Sequence, residues 1–243
     1  AIIEIIKVIF LGIVEGITEW LPISSTGHML LVDEFIQLNA GAQFKEMFFF
    51  VIQLGAILAV VVLFWNKMWP FKKKSTDDGV NKVGSILRKD VWSMWFKVVV
   101  ACIPGAAVTI AFDDFIEAHL HTPVVIAVTL IVYGIAFIII ERRNKTRTPK
   151  VLTLNDITYK TALIIGLFQV LSIIPGTSRS GATIIGALLI GVSRVAAAEF
   201  TFFLAVPVMF GMSALKMVKL GFAMSAAEAS ILILGMVVAF IVS

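Results

Sequence analysis

Charged side chains are scarce in this 243-residue chain: Asp, Glu, Lys and Arg make up 15% of it, against about 25% in soluble chains. A disordered chain, which needs high charge and low hydrophobicity, is thereby excluded. Cysteine is almost absent, and with Cys102 alone no disulfide scaffold can form. Beside Pro104 and Gly105 in an apolar stretch, Cys102 reads as small core packing. There is no Walker motif, no HExxH, no CxxC and no GxGxxG, which removes the common nucleotide and zinc signatures. What is present is apolar: 59% of residues are A, V, I, L, M, F, W, Y or C. The 17 glycines bring the share to roughly two thirds. A soluble globule is excluded, and the chain reads as an all-α polytopic membrane protein.

A crossing helix needs about 20 mostly apolar residues to traverse ~30 Å of hydrocarbon. Four stretches come close to that length, at 46–66, 91–112, 123–140 and 199–218. A fifth apolar run starts near Ala229 and still continues at Ser243, so a truncated C-terminal helix is expected. Seven Lys and Arg residues fall in 67–90 and six in 142–160, but none in 113–122. Two crossings separate the two basic loops, which puts them on one side, expected to be cytoplasmic. Because 13 of the 20 basic residues sit in these membrane-flanking loops, a pI near 9.2 does not indicate nucleic-acid binding.

Residues 1–32 and 161–193 are apolar but broken. In each, a proline (Pro22, Pro175) removes a backbone donor and disfavours helix for the residue before it, and hydroxyl residues able to cap a new helix follow. Each is expected to form a short helix, an unwound turn and a second short helix. Such backbone is tolerated at membrane depth only where protein buries it or it lines a polar cavity. At an offset of 153, Pro22 meets Pro175, Ser25 meets Ser178, Glu46 meets Glu199, and Phe49 and Phe50 meet Phe202 and Phe203. The pattern predicts a duplicated unit of re-entrant hairpin plus transmembrane helix, with repeat 1 at about 1–66 and repeat 2 at about 157–219 of one membrane domain. Three crossings between the hairpins make the repeats inverted, and their tips can meet near the midplane.

The breaks carry the chemistry. Glu15 and Glu19, four apart, share one helix face and repel unless a cation lies between them or one is protonated; carboxylate oxygens suit Mg²⁺ or Ca²⁺. Ser24, Ser25, Thr26 and His28 follow Pro22, and a serine needs a base before it can attack. His119 and His121 lie in the short outer loop, where solvation accounts for them. Around Gly176 and Gly181 stand Thr177, Ser178, Arg179, Ser180 and Thr183. A guanidinium, hydroxyls and helix-terminal amides together suit a phosphate, although Arg179 could instead pair with Glu15 or Glu19. A midplane site open to lipid points to hydrolysis or transport of a lipid phosphate, a transporter or flippase being the alternative to an enzyme.

EGITE (Glu15–Glu19), PISSTGH (Pro22–His28) and PGTSRSGAT (Pro175–Thr183) closely resemble the motifs of the bacterial undecaprenyl-diphosphate phosphatase family, also known for bacitracin resistance. The likeness extends through VIQLGAILAVV (Val51–Val61), GVSR (Gly191–Arg194) and EFTFFLAVP (Glu199–Pro207). The resemblance implies an inner-membrane hydrolase, dependent on a divalent cation and dimeric. It would convert undecaprenyl diphosphate to the monophosphate carrier used in peptidoglycan synthesis, with a cavity opening to the periplasm. It assigns Glu15 and Glu19 to metal binding and catalysis. Ser25 and His28 become nucleophile and base, with attack by His28, or water activation by His28 or Glu19, left open. Arg179 becomes the phosphate-binding arginine, with Ser178, Ser180 and Thr183 beside it; Ser24 and Thr26 are likewise expected to bind the substrate phosphate.

Overall fold

In a computed structural model the described residues are 2–71, 87–120, 122–220 and 224–243. They form eleven α-helices and no β-strand. Lys72, Lys73, Lys74, Lys82 and His121 lie outside the described residues. The helices are α1 (Ile2–Thr18), α2 (Ser25–Ile36), α3 (Ala42–Val51), α4 (Gln53–Leu63), α5 (Trp65–Met68) and α6 (Lys89–Leu120), followed by α7 (Pro123–Asn144), α8 (Tyr159–Gln169), α9 (Arg179–Leu189), α10 (Arg194–Leu220) and α11 (Ala226–Val242).

Four segments among the described residues are long and apolar enough to cross a bilayer: Ala42–Leu63, which joins α3 and α4, Lys89–Phe112, Pro123–Asn144 and Arg194–Lys219. They coincide with the four spans expected from hydropathy. Each of the two broken stretches forms two helices separated by a break, α1 with α2 and α8 with α9, the second break opening with a 3-10 turn at Val170–Ile173. At 1.5 Å per residue, the 12 residues of α2 and the 11 of α9 reach roughly 17–18 Å, well short of the hydrocarbon thickness.

Glycine sets the closest helix contacts. A Cβ at Gly12 or Gly16 would come within 2.8–2.9 Å of α11, and one at Gly166 would lie 2.3 Å from the Ala101 carbonyl oxygen of α6. Without side chains at these positions α1 lies on α11, and α8 on α6, at backbone distance. α3 and α10 cross in opposite directions, because Glu46 near the start of α3 pairs with Lys216 near the end of α10, while Glu199 near the start of α10 pairs with Lys67 of α5. Two apolar cores result. Phe200, Phe203 and Leu204 centre one between α6, α8, α9 and α10; Phe48, Ile52 and Leu11 centre the other between α1, α2, α3 and α11. The polar breaks sit between them.

Candidate active site

The two turns meet. A Cβ at Gly181 would lie 3.1 Å from the Pro22 carbonyl oxygen, and one at Gly27 would lie 3.6 Å from Gly176 Cα. Gly176 itself has φ +88°, in the region that favours glycine, and a side chain there would strike Thr129 Oγ1 and the Ile126 backbone of α7. Thr129 Oγ1 donates to the Pro175 carbonyl oxygen at 2.7 Å, so α7 braces the second turn from behind. Serines cap both following helices: Ser24 Oγ accepts from Gly27 N (3.3 Å) and Ser178 Oγ from Gly181 N (3.0 Å). Ser24 adopts φ 67°, a conformation that costs a non-glycine residue about 1–3 kcal/mol and is found where surroundings impose it.

These turns form the floor of a cavity of about 560 Å³. Glu19, Ser24, Ser25 and Thr26 line it from the first turn, and Thr177, Ser178, Arg179 and Ser180 from the second. The N-termini of α2 and α9 thus reach one space, and both favour an anion there. Glu19 joins the halves. Its Oε2 accepts from Ser25 Oγ at 2.7 Å, and its Oε1 accepts from Arg179 Nη2 at 2.7 Å. The side chains of Arg179 and Glu19 are only 13% and 11% exposed, so this is a desolvated ion pair spanning 160 residues of sequence.

Two groups in the cluster are left open. Glu15 is fully buried, next to Glu19, Ser25 and Arg179, and neither of its carboxylate oxygens makes a hydrogen bond among the described residues. Arg179 Nη1 is likewise buried and unbonded. An unpaired acceptor and an unpaired donor in one buried cluster can take a cation on one side and an anionic oxygen on the other.

Not every expected residue arrives at the cavity. His28 does not line it; its Nδ1 faces the Ser24 carbonyl oxygen at 2.8 Å. A carbonyl only accepts, so Nδ1 carries the proton, and the group bonded to Ser25 is Glu19. Thr183 is one turn inside α9, fully buried, with its hydroxyl against Thr201 Oγ1 at 2.9 Å and the Ser180 carbonyl oxygen at 3.0 Å. It ties α9 to α10 and does not line the cavity. Ser178 and Ser180 do line it, their hydroxyls 3.1 Å apart.

Sequence reading passed over several polar residues on the wall, Gln53, Gln169 and Lys216 among them. Gln53, where α3 gives way to α4, donates from Nε2 to Thr26 Oγ1 (2.9 Å) and to the Phe49 carbonyl oxygen (3.0 Å). Gln169 ends α8, and Lys216, 3% exposed, lines the wall beyond Met212. A lone amide or ammonium inside an otherwise apolar span is the available signal, since such groups are expensive at membrane depth.

The chain matches the family described as Bacitracin resistance protein BacA over residues 8–243. It is similar to an undecaprenyl-diphosphatase of Enterococcus faecalis, 71% identical over 241 residues, covering 99% of this chain and 85% of that protein. Undecaprenyl-diphosphatases of Lachnoclostridium phytofermentans and Acetivibrio thermocellus are 62% and 58% identical over 241 residues, covering 99% of this chain and 85% and 86% of theirs.

Proposed function

Since the chain belongs to the bacitracin resistance protein BacA family, we propose that it is a membrane-embedded undecaprenyl-diphosphatase whose nucleophile is Ser25, held by Glu19 and faced by Arg179. It hydrolyses undecaprenyl diphosphate to undecaprenyl phosphate and inorganic phosphate. The observation that carries the reading is the Ser25–Glu19–Arg179 chain, closed by two 2.7 Å bonds on the floor of the cavity. Glu19 takes the Ser25 proton as Oγ bonds to the terminal phosphorus and the bond to the bridging oxygen breaks. Arg179 and the amides at the start of α9 offset charge on the phosphoryl oxygens. In the second step water bonds to phosphorus and Ser25 Oγ leaves, recovering its proton from Glu19; both water protons depart with the phosphate. His28, bonded to the Ser24 carbonyl, positions the first turn of α2 in this scheme.

A divalent cation fits the donor set. No group of three or more His, Cys, Asp or Glu side chains that could hold a metal occurs among the described residues, and the acids of this cluster are Glu15 and Glu19. That is the usual supply for Mg²⁺ shared with substrate phosphates, and the open oxygens of Glu15 are hard donors. When bound, such an ion neutralises phosphoryl charge.

The halves at about 1–66 and 157–219 are read as an inverted repeat with re-entrant hairpins. Two pairs of helix starts agree within one residue at the offset of 153 (Ser25 with Arg179, Ala42 with Arg194). The reciprocal pairs Glu46–Lys216 and Glu199–Lys67 and the matched contacts α1 on α11 and α8 on α6 support it. The cavity is read as opening to the periplasm. Both α6 and α10 start at basic loops, and the residues they give the cavity run from Val99 to Ile116 and from Pro207 to Lys216, away from those loops. A homodimer, implied by the family resemblance, completes the reading and is checked by cross-linking in membranes.

The test is phosphate release by purified protein from undecaprenyl diphosphate in detergent. Wild type releases phosphate, Ser25→Ala and Arg179→Ala do not, and Glu19→Gln does so about 10³-fold more slowly. A transporter or flippase would leave the diphosphate intact, and unchanged release by all three variants would overturn the assignment.

A further inference from the structure

The geometry points to Gln169 as the group that orients the attacking water in the second step, an inference that rests on the reading of the site given above. Gln169 is 4% exposed and lines the cavity, yet its Oε1 is buried with no hydrogen-bond partner among the described residues. Leaving a buried acceptor unbonded costs free energy that an apolar side chain of similar size would avoid. The nearest hydroxyl along the chain is not available to it, because Ser172 Oγ donates to the backbone carbonyl oxygen of Gln169 at 2.7 Å.

The amide is held in place from behind. A Cβ at Gly105 would lie 3.0 Å from Gln169 Nε2, so the amide rests on the α6 backbone at a position where a side chain would displace it. One turn earlier on α8, Gly166 lies against the Ala101 backbone and fixes the base from which Gln169 extends. Cys102 and Gly105, one turn apart on α6, line the same cavity as Gln169 and Arg179.

A neutral amide oxygen cannot remove a proton, and it repels the ionised oxygens of a phosphate. What it can do is accept an O–H. Of the molecules that enter a phosphatase site, water is the one that must present an O–H there and a lone pair to phosphorus. With one hydrogen held by Oε1, its lone pair has a defined direction, an ordering that Ser25 does not need because Glu19 already supplies it.

The experiment measures the partition of the phosphoryl group between water and methanol, supplied with undecaprenyl diphosphate in detergent. In wild type the bound water is favoured and methyl phosphate is the minor product. In Gln169→Ala the share of methyl phosphate rises at least about fivefold, because methanol fits the enlarged site and water is no longer oriented. Gln169→Glu, which keeps an acceptor oxygen, stays within about twofold of the wild-type share. Gly105→Ala, which brings a Cβ to 3.0 Å from Nε2 and shifts the amide without removing it, raises the share in the same direction as Gln169→Ala. A structural residue would lower both products in proportion, so a share unchanged in Gln169→Ala and Gly105→Ala, including none in either, overturns the inference. Ser25→Ala is assayed beside them: if it still hydrolyses the substrate the serine reading fails, while the methanol share continues to decide the role of Gln169.

Discussion

Replacing Glu19 by glutamine separates the two jobs that its carboxylate performs. The carboxylate accepts from Ser25 Oγ and from Arg179 Nη2, both at 2.7 Å. An amide has one acceptor oxygen. If that oxygen faces Arg179, an N–H faces Ser25 and the hydroxyl proton must turn away; if it faces Ser25, an N–H opposes the guanidinium. In either arrangement no base remains, and general-base catalysis contributes about 10²–10⁴-fold. Turnover should therefore fall by about 10³, which is roughly 4 kcal/mol of barrier.

Anion binding should move the other way. In the native protein Arg179 must give up a nearly buried ion pair before it can serve a phosphate, whereas in Glu19→Gln the guanidinium is uncompensated and the local negative charge is reduced by one. Inorganic phosphate should bind at least about tenfold more tightly, a gain of about 1.4 kcal/mol. Without phosphate the variant should be less stable, since an unpaired buried charge costs about 3–5 kcal/mol. Thermal unfolding in detergent over a phosphate titration measures both quantities, and a turnover assay with saturating lipid measures the fall in rate. If phosphate binding weakens together with turnover, Glu19 is not what restrains Arg179, and the division of roles between the two turns is wrong.

Other substitutions discriminate in the same way. Ser25→Ala should abolish turnover while leaving phosphate-induced stabilisation in place, read in the same unfolding assay. His28→Ala should cost at most about tenfold in turnover, because its ring is bonded to the backbone of Ser24 and not to Ser25; a loss as deep as that of Ser25→Ala would restore it as the base. Thr183→Val breaks the contact to Thr201 and should lower stability by about 1–3 kcal/mol, with turnover per folded molecule staying within the same decade. Gly55→Ala places a Cβ 2.1 Å from the Met236 carbonyl oxygen, so α4 and α11 must separate; the yield of folded protein should fall, with a loss of about 1–3 kcal/mol or more in unfolding assays.

Much of the architecture was legible because the bilayer imposes a simple length rule. The four spans followed from apolar run length, and both turns from proline followed by hydroxyl residues, as at Pro22–Ser25 and Pro175–Ser178. Glu15, Glu19 and Arg179 stood out because charge at membrane depth needs a reason. What could not be read was which atom faces which. His28 is three residues from Ser25 in sequence, but the α2 N-terminus turns it back on Ser24; Thr183 looks like a continuation of the hydroxyl run, but one turn of helix carries it to the far side, onto Thr201. Gln53 and Gln169 are single polar residues in apolar helices, and only the packing against Thr26 and Gly105 gives them a direction.

The proposed repeat gives the chemistry a plain origin. At an offset of 153, Glu19 corresponds to Ser172 and Arg179 to Thr26, so each half holds a neutral hydroxyl where the other holds its charge. All four line the cavity. Two identical turns, each bearing a carboxylate or each bearing a guanidinium, would face one another with like charges in a space with little water, which is unfavourable by several kcal/mol. An asymmetric pair makes the burial tolerable: the acid from the first turn is the counter-ion of the base from the second, across 160 residues. The same asymmetry defines the reaction. In the proposed mechanism the acid bonded to the serine pairs with the guanidinium that receives phosphate, and the arriving phosphate competes for the guanidinium and frees the carboxylate to take the proton. Substrate binding and activation of the nucleophile are then one event, and neither half could perform it with a second copy of itself.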